Sequence, residues 1–246
     1  MQEKENGGVT IPWLGQGDPF PPAESALCDP DGLLAAGGGL SSDRLVTAYA
    51  RGIFPWFSEH DPVLWWSPDP RAVLGVQDMH VSRSLRRTLR SSGYRVTADT
   101  AFSSVVQACA APRDVDGGTW ITNAMAEAYG RLAVLGHAHS VEVWSGGTLV
   151  GGLYGVALGR MFYGESMFSR QPDASKVALV CLARQLEAWG FELIDCQVAS
   201  AHLVSLGART IPRTVFLRAI DRLTRLPPVP SPWALAQDLP ETVRVR

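Results

Sequence analysis

The stretch SVEVWSGGTLVGGLYGVALGRMFYGESMF, Ser140 to Phe168, decides the fold class. Ser140–Trp144 alternates, Ser145-Gly146-Gly147 turns, Thr148–Leu158 returns, Gly159-Arg160 turns again, and Met161–Phe168 completes a third strand of a meander. Upstream, residue spacing predicts helices over His80–Ser91, Ala101–Ala110 and Asn123–Leu135, with a short extended piece at Tyr94–Thr97. Downstream, Asp173 or Ser175 starts a helix that Gly190 ends, Phe191–Val198 reads as a buried strand, and Thr214–Leu223 as a late helix. Helices, an antiparallel meander, then helix and strand make the chain α+β, with a mainly antiparallel sheet flanked by helices.

The segment from Pro12 to about Pro70 has a different texture, rich in Pro, Gly and Trp. Its clearest element is a helix near Ser41–Arg51, capped by Ser41 or Ser42 and ended by Gly52. This predicts a small N-terminal domain over 1–70, whose first ten residues are polar and expected to be disordered. A larger domain follows over 71–230, and 231–246 reads as a tail extended along the surface. Gly37-Gly38-Gly39 matches neither a Walker loop nor a dinucleotide fingerprint and supports only a turn.

Of the 246 residues, 46% are hydrophobic and 19% charged, which is ordinary for one sizeable folded core. The N-terminus lacks the apolar core of a signal peptide, and no apolar run approaches the roughly 20 residues that cross a bilayer. Cys28, Cys109, Cys181 and Cys196 show no paired spacing, so no zinc site or disulfide framework is expected, and a reducing cytoplasm is the simplest location. His137 and His139 lack a third ligand and read as structural; no metal is expected. The net charge of −2 argues against nucleic acid, but that average hides a local cluster. Arg83, Arg86, Arg87 and Arg90 share one helix face, opposite Val81, Leu85 and Leu89. The face is either simply solvated or a surface that tracks phosphates.

Two polar features could carry chemistry. Glu165 stands among Phe162, Gly164, Met167 and Phe168, where an unpaired charge loses its hydration. Its partner is either an internal cation such as Arg170 or a cationic substrate. In the strand Leu193–Val198, alternation puts Asp195 and Gln197 on one face, where they either satisfy backbone groups or bind one reacting group. The same alternation turns Cys196 to the opposite, apolar face, against a thiol nucleophile. Aromatic residues such as Trp56, Trp120, Phe162 and Phe168 read first as core.

These segments together resemble the leucyl/phenylalanyl-tRNA–protein transferase family, from about Phe20 to Leu226. The resemblance is carried by Gly32–Ala35, YARGIFPWFSEHDPVLWWSPDPR (Tyr49–Arg71), Gly118–Thr122, Gly136–Ser140, Phe162–Arg170 and Ile194–Gln197. It implies a larger domain similar to the N-acetyltransferase fold. It also implies transfer of Leu or Phe, and Met less well, from aminoacyl-tRNA to proteins with N-terminal Arg or Lys, marking them for N-end rule degradation. By motif match, Asp195 receives or orients the attacking amine and Gln197 completes the hydrogen-bond path. Glu165 holds cationic or amino groups of the substrates. Trp56, Trp120, Leu153 and Phe162 line the donor pocket, with Gly164, Met167 and Phe168 beside them, and the arginine face holds tRNA. No cofactor, no membrane and a monomer are implied. Leu153 stands where the family pattern often has Met, and Tyr163 replaces a smaller residue.

Two other readings compete. An acyl-CoA-dependent N-acetyltransferase needs a Gly-rich pyrophosphate turn before a helix, but Ser169–Lys176 contains no glycine. A non-enzymatic tRNA- or peptide-binding module explains the arginine face and Glu165, but gives no reason for Asp195 beside Gln197.

Overall fold

The computed structural model describes residues 10–111 and 121–236. In chain order its elements are β1 (Trp13–Leu14), β2 (Leu33–Gly37), α1 (Ser42–Ala50), β3 (Phe54–Pro55), β4 (Leu64–Trp66) and β5 (Arg71–Gly75), then α2 (Arg83–Ser91), β6 (Arg95–Ala98), α3 (Phe102–Ala110) and α4 (Asn123–Val134). The meander follows as β7 (Ala138–Ser145), β8 (Thr148–Leu158) and β9 (Met161–Ser169). Last come α5 (Ala174–Ala188), β10 (Leu193–Gln197), α6 (Ala201–Ser205), β11 (Arg209–Ile211) and α7 (Arg213–Leu223).

The chain is α+β. A small sheet of order β1-β2-β4-β3 forms from residues 13–66, and a larger one runs β11-β5-β10-β9-β8-β7-β6. Every pair in the larger sheet is antiparallel except β9 with β10. That parallel pairing runs from Leu193↔Met161 to Asp195↔Tyr163 and goes no further, so the two strands separate beyond it.

The helix starts follow the sequence. Ser41, Ser82 and Thr122 each accept a hydrogen bond from a backbone N–H three residues on, capping α1, α2 and α4. Capping by Ser82 is why α2 begins at Arg83, three residues after the expected His80. Val81, Leu85 and Leu89 are buried beneath it, and all four arginines of its outer face are exposed.

Two cores sandwich the larger sheet. One packs α1, α3, α4 and α7 against the sheet and includes Tyr49, Tyr129, Tyr154, Tyr163 and Phe168. The other packs α5 against the opposite face and includes Leu153, Phe162, Leu179, Leu182 and Ile194. The tail departs from a surface-extended course at Trp233, which is buried. Its indole stacks on His139 at 3.7 Å between centroids, and its backbone N–H and His139 Nδ1 both meet Asp99 Oδ2. His139 thus has a structural role. The expected disordered start, but for Thr10, and the end of the tail lie outside the described residues, as does Trp120. No helix among the described residues is long and apolar enough to cross a membrane.

Candidate active site

Two irregularities build the site. In β9, Tyr154 pairs with Ser166 and Gly155 with Gly164, leaving Glu165 as an extra residue in a bulge. Such an insertion breaks side-chain alternation and re-aims a side chain. The bulge needs Gly155 opposite, because a Cβ there would lie 2.2 Å from the Tyr163 carbonyl oxygen. In β10, Asp195 pairs with Val73 and Gln197 with Ala72, so Cys196 is the extra residue and Gln197 takes a left-handed φ of 62°. The simple alternation expected for Asp195, Cys196 and Gln197 therefore does not hold, and all three border one cavity.

That cavity, about 120 Å³, opens where β9 and β10 separate. Its apolar wall includes Leu153, Phe162 and Met167, together with Leu179 and Leu182 of α5 and Leu203 of α6. Gly164, Glu165, Asp195 and Gln197 form its polar side. Two expected lining residues stand elsewhere. Phe168 belongs to the core on the other face of the sheet, because the bulge reverses the alternation between Gly164 and Phe168. Trp56 is half-exposed beside Trp66, at 5.6 Å between ring centroids.

Asp195 is completely buried. Arg71 Nε and Nη2 donate to its two oxygens at 2.8 and 2.6 Å, and the Gln197 backbone N–H donates to Oδ1 at 2.9 Å. Arg71 is itself buried, donates to the Gly52 carbonyl, and lies 4.7 Å from the ring centroids of Phe54 and Phe216. Both oxygens of Asp195 are thus engaged within the protein.

Glu165 is satisfied differently. Arg170 is not its partner: that guanidinium sits over Phe168 and donates to the Leu149 carbonyl. Instead, Tyr49 Oη lies 2.7 Å from Oε1, Tyr129 Oη 2.6 Å from Oε2, and Gln197 Nε2 donates to Oε1 at 3.1 Å. Burial pushes the Glu165 carboxyl up to about 7, against the lowering effect of the two tyrosine hydroxyls. Burial also pushes the Cys196 thiol up to about 12, so no thiolate nucleophile stands in the cavity.

Arg71, Tyr49 and Tyr129 had no assigned role from the sequence, yet each carried a signal. A tyrosine on an apolar helix face must find a partner for its hydroxyl. An arginine opening the run Ala72-Val73-Leu74 must find a buried acid.

A family model described as leucyl/phenylalanyl-tRNA protein transferase matches residues 73–221, and one for that transferase's N-terminal domain matches residues 38–69. The chain belongs to this family. It is therefore a transferase. A leucyl/phenylalanyl-tRNA–protein transferase of Thiobacillus denitrificans is 60% identical over 214 residues, covering 87% of this chain and 94% of the relative. Those of Aromatoleum aromaticum and Nitrosomonas europaea are 59% and 58% identical, covering 91% and 87% of this chain and 94% and 91% of their own lengths. A solved structure of L-PGS from Bacillus licheniformis aligns at a TM-score of 0.39 with 12% identity, over 68% of this chain and 54% of its own, too distant to bear on fold or function.

Proposed function

We propose that this transferase moves Leu or Phe, and Met less well, from aminoacyl-tRNA to the α-amine of proteins that begin with Arg or Lys, marking them for N-end rule degradation. It acts as a monomer in the cytoplasm. The observation that carries this reading is the apolar cavity between the separated ends of β9 and β10, with Gln197 and Glu165 beside it.

An aminoacyl ester is already activated, so the transfer is largely a matter of bringing its carbonyl to a neutral amine. The donor's side chain fits the socket of Leu153, Phe162 and Met167, and such a socket tolerates Leu, Phe and Met because methylene-scale differences discriminate weakly. Gln197 is the polar side chain that meets the amine. Asp195 serves as a positioning residue, since its carboxylate is held by Arg71 and in turn holds the Gln197 backbone N–H. Half-exposed Trp56 offers an aromatic face for the terminal adenosine, a role that the family resemblance also gives Trp120. The exposed face of Arg83, Arg86, Arg87 and Arg90 takes the acceptor-stem phosphates without reading sequence.

Purified protein is expected to transfer labelled Leu from charged tRNA to a peptide that begins with Arg. Folded protein that binds the tRNA but transfers nothing would favour a binding module instead.

A further inference from the structure

Three oxygen–oxygen contacts close a ring around Glu165. Tyr49 Oη reaches Oε1 at 2.7 Å, Tyr129 Oη reaches Oε2 at 2.6 Å, and the two hydroxyl oxygens lie 2.6 Å apart. All three side chains are buried. At such distances, away from water, each contact needs a proton between its oxygens, and a contact without one sets lone pair against lone pair. Two tyrosines supply only two protons for three contacts. Loss of a phenol proton would widen the deficit, and burial beside Glu165 raises both phenols well above their usual 10.

We infer that Glu165 supplies the third proton, standing as a carboxylic acid in the unliganded protein, and that the site therefore admits its acceptor as a neutral amine. The direction of the ring follows from Gln197. Its Nε2 donates to Oε1, so Oε1 is an acceptor and the acid proton sits on Oε2. Glu165 Oε2–H then donates to Tyr129, the Tyr129 hydroxyl to Tyr49, and the Tyr49 hydroxyl to Oε1. Donation runs one way round, so each bond polarises the next.

The surrounding charges agree. Tyr49 comes from α1, Tyr129 from α4, Tyr154 from β8 packs on Tyr129, and Tyr163 from β9 packs on Tyr49. Among the described residues, the full charges that act on Glu165 are Asp195 and Arg71, and each neutralises the other. With Glu165 protonated, no free negative charge remains beside it among the described residues to hold an ammonium. An ammonium entering there would lose hydration without a counterion. A neutral amine keeps its lone pair for attack and donates an N–H to Gln197 Oε1, which is left over once Nε2 has turned to Glu165. α-Amines titrate near pH 8, so the site takes the minor but nucleophilic form.

The protonation state stands on geometry alone, whereas the neutral amine rests on the transfer reaction proposed above. Infrared difference spectra of unliganded wild type against Glu165→Gln, at about pH 6, read the first. A deuterium-sensitive carboxylic-acid carbonyl band is expected in the wild type and not in the variant, and folded wild type without it would overturn the inference. Gln copies the donor and acceptor of the acid form; should it nevertheless not fold, carbon NMR of wild type with labelled glutamate reads the same carboxyl. The second half is read from KM for Arg-initial peptides of differing amine pKa. Below about pH 7, where Glu165 keeps its proton, KM should fall about tenfold for each unit that pH rises toward the amine pKa. A KM indifferent to amine pKa would overturn the neutral-amine step, whereas a band in a protein that transfers nothing would retain the ring and remove the reaction.

Discussion

Arg71 grips both carboxylate oxygens of Asp195, through Nε at 2.8 Å and Nη2 at 2.6 Å, with neither side chain exposed to solvent. The pair joins β5 to β10, and through Asp195 Oδ1 it also fixes the backbone of Gln197. A carboxylate held on both oxygens is a poor receiver for a substrate proton. In the proposed reaction Asp195 is therefore assigned to act through Gln197.

Removing one partner of a buried ion pair leaves the other charged and unpaired, which costs about 3–5 kcal/mol. Asp195→Ala is expected to lose stability of that order as well as turnover. Pairing it with Arg71→Met should recover much of the stability and none of the turnover. Denaturant midpoints of the two single variants and the double variant check this; purely additive losses would contradict it.

Glu165 makes stability depend on pH in a direction opposite to a typical acid. Its folded value, about 7, lies above its ordinary 4.5, so its stabilising contribution is complete below about 4.5 and is lost as pH rises through 7. The whole contribution is of order 3 kcal/mol, from about 1.4 kcal/mol per pH unit over that interval. Unfolding free energies of wild type minus Glu165→Gln, measured from about pH 4 to 8, should fall across that window. A flat difference would mean that folding leaves the carboxyl at its ordinary value.

The arginine face of α2 is testable through salt. Each phosphate contact contributes roughly 0.7 to 0.9 to the slope of log K against log salt. Replacing Arg83 and Arg87 with Gln should weaken tRNA binding and flatten that slope by about 1.4 to 1.8. An unchanged slope would take α2 out of the interface.

Leu153 lines the cavity from β8. Leu153→Ala should favour the larger Phe over Leu as donor by roughly tenfold, since a missing methylene is worth about 1–3 kcal/mol. Competition between the two charged tRNAs reads the ratio directly.

The meander was legible because its turns are written locally: Gly146-Gly147 and Gly159 all take positive φ where the sequence places turns. The helices over Ser42–Ala50, Phe102–Ala110 and Asn123–Val134 were legible from the spacing of their apolar residues. The small sheet was not, because β1 and β3 have two residues each and β4 only three, too few for any alternation to register. Leu179 and Leu182 could not be told from core, since a pocket wall and a packed face have the same composition. The bulges at Glu165 and Cys196 were invisible for a deeper reason: an inserted residue belongs to a strand's register with its neighbour, which no single segment encodes.

The extra residue in β9 separates two tasks along a single strand. Leu153 and Phe162 belong to the core beneath α5, whereas Tyr49 and Tyr129 belong to the core on the opposite face. If the proposed donor pocket holds, drift in the first set would retune which amino acid is donated while the proton inventory of the second stays untouched. Donor preference would then be free to evolve, or to be engineered, as a module independent of the chemistry it serves.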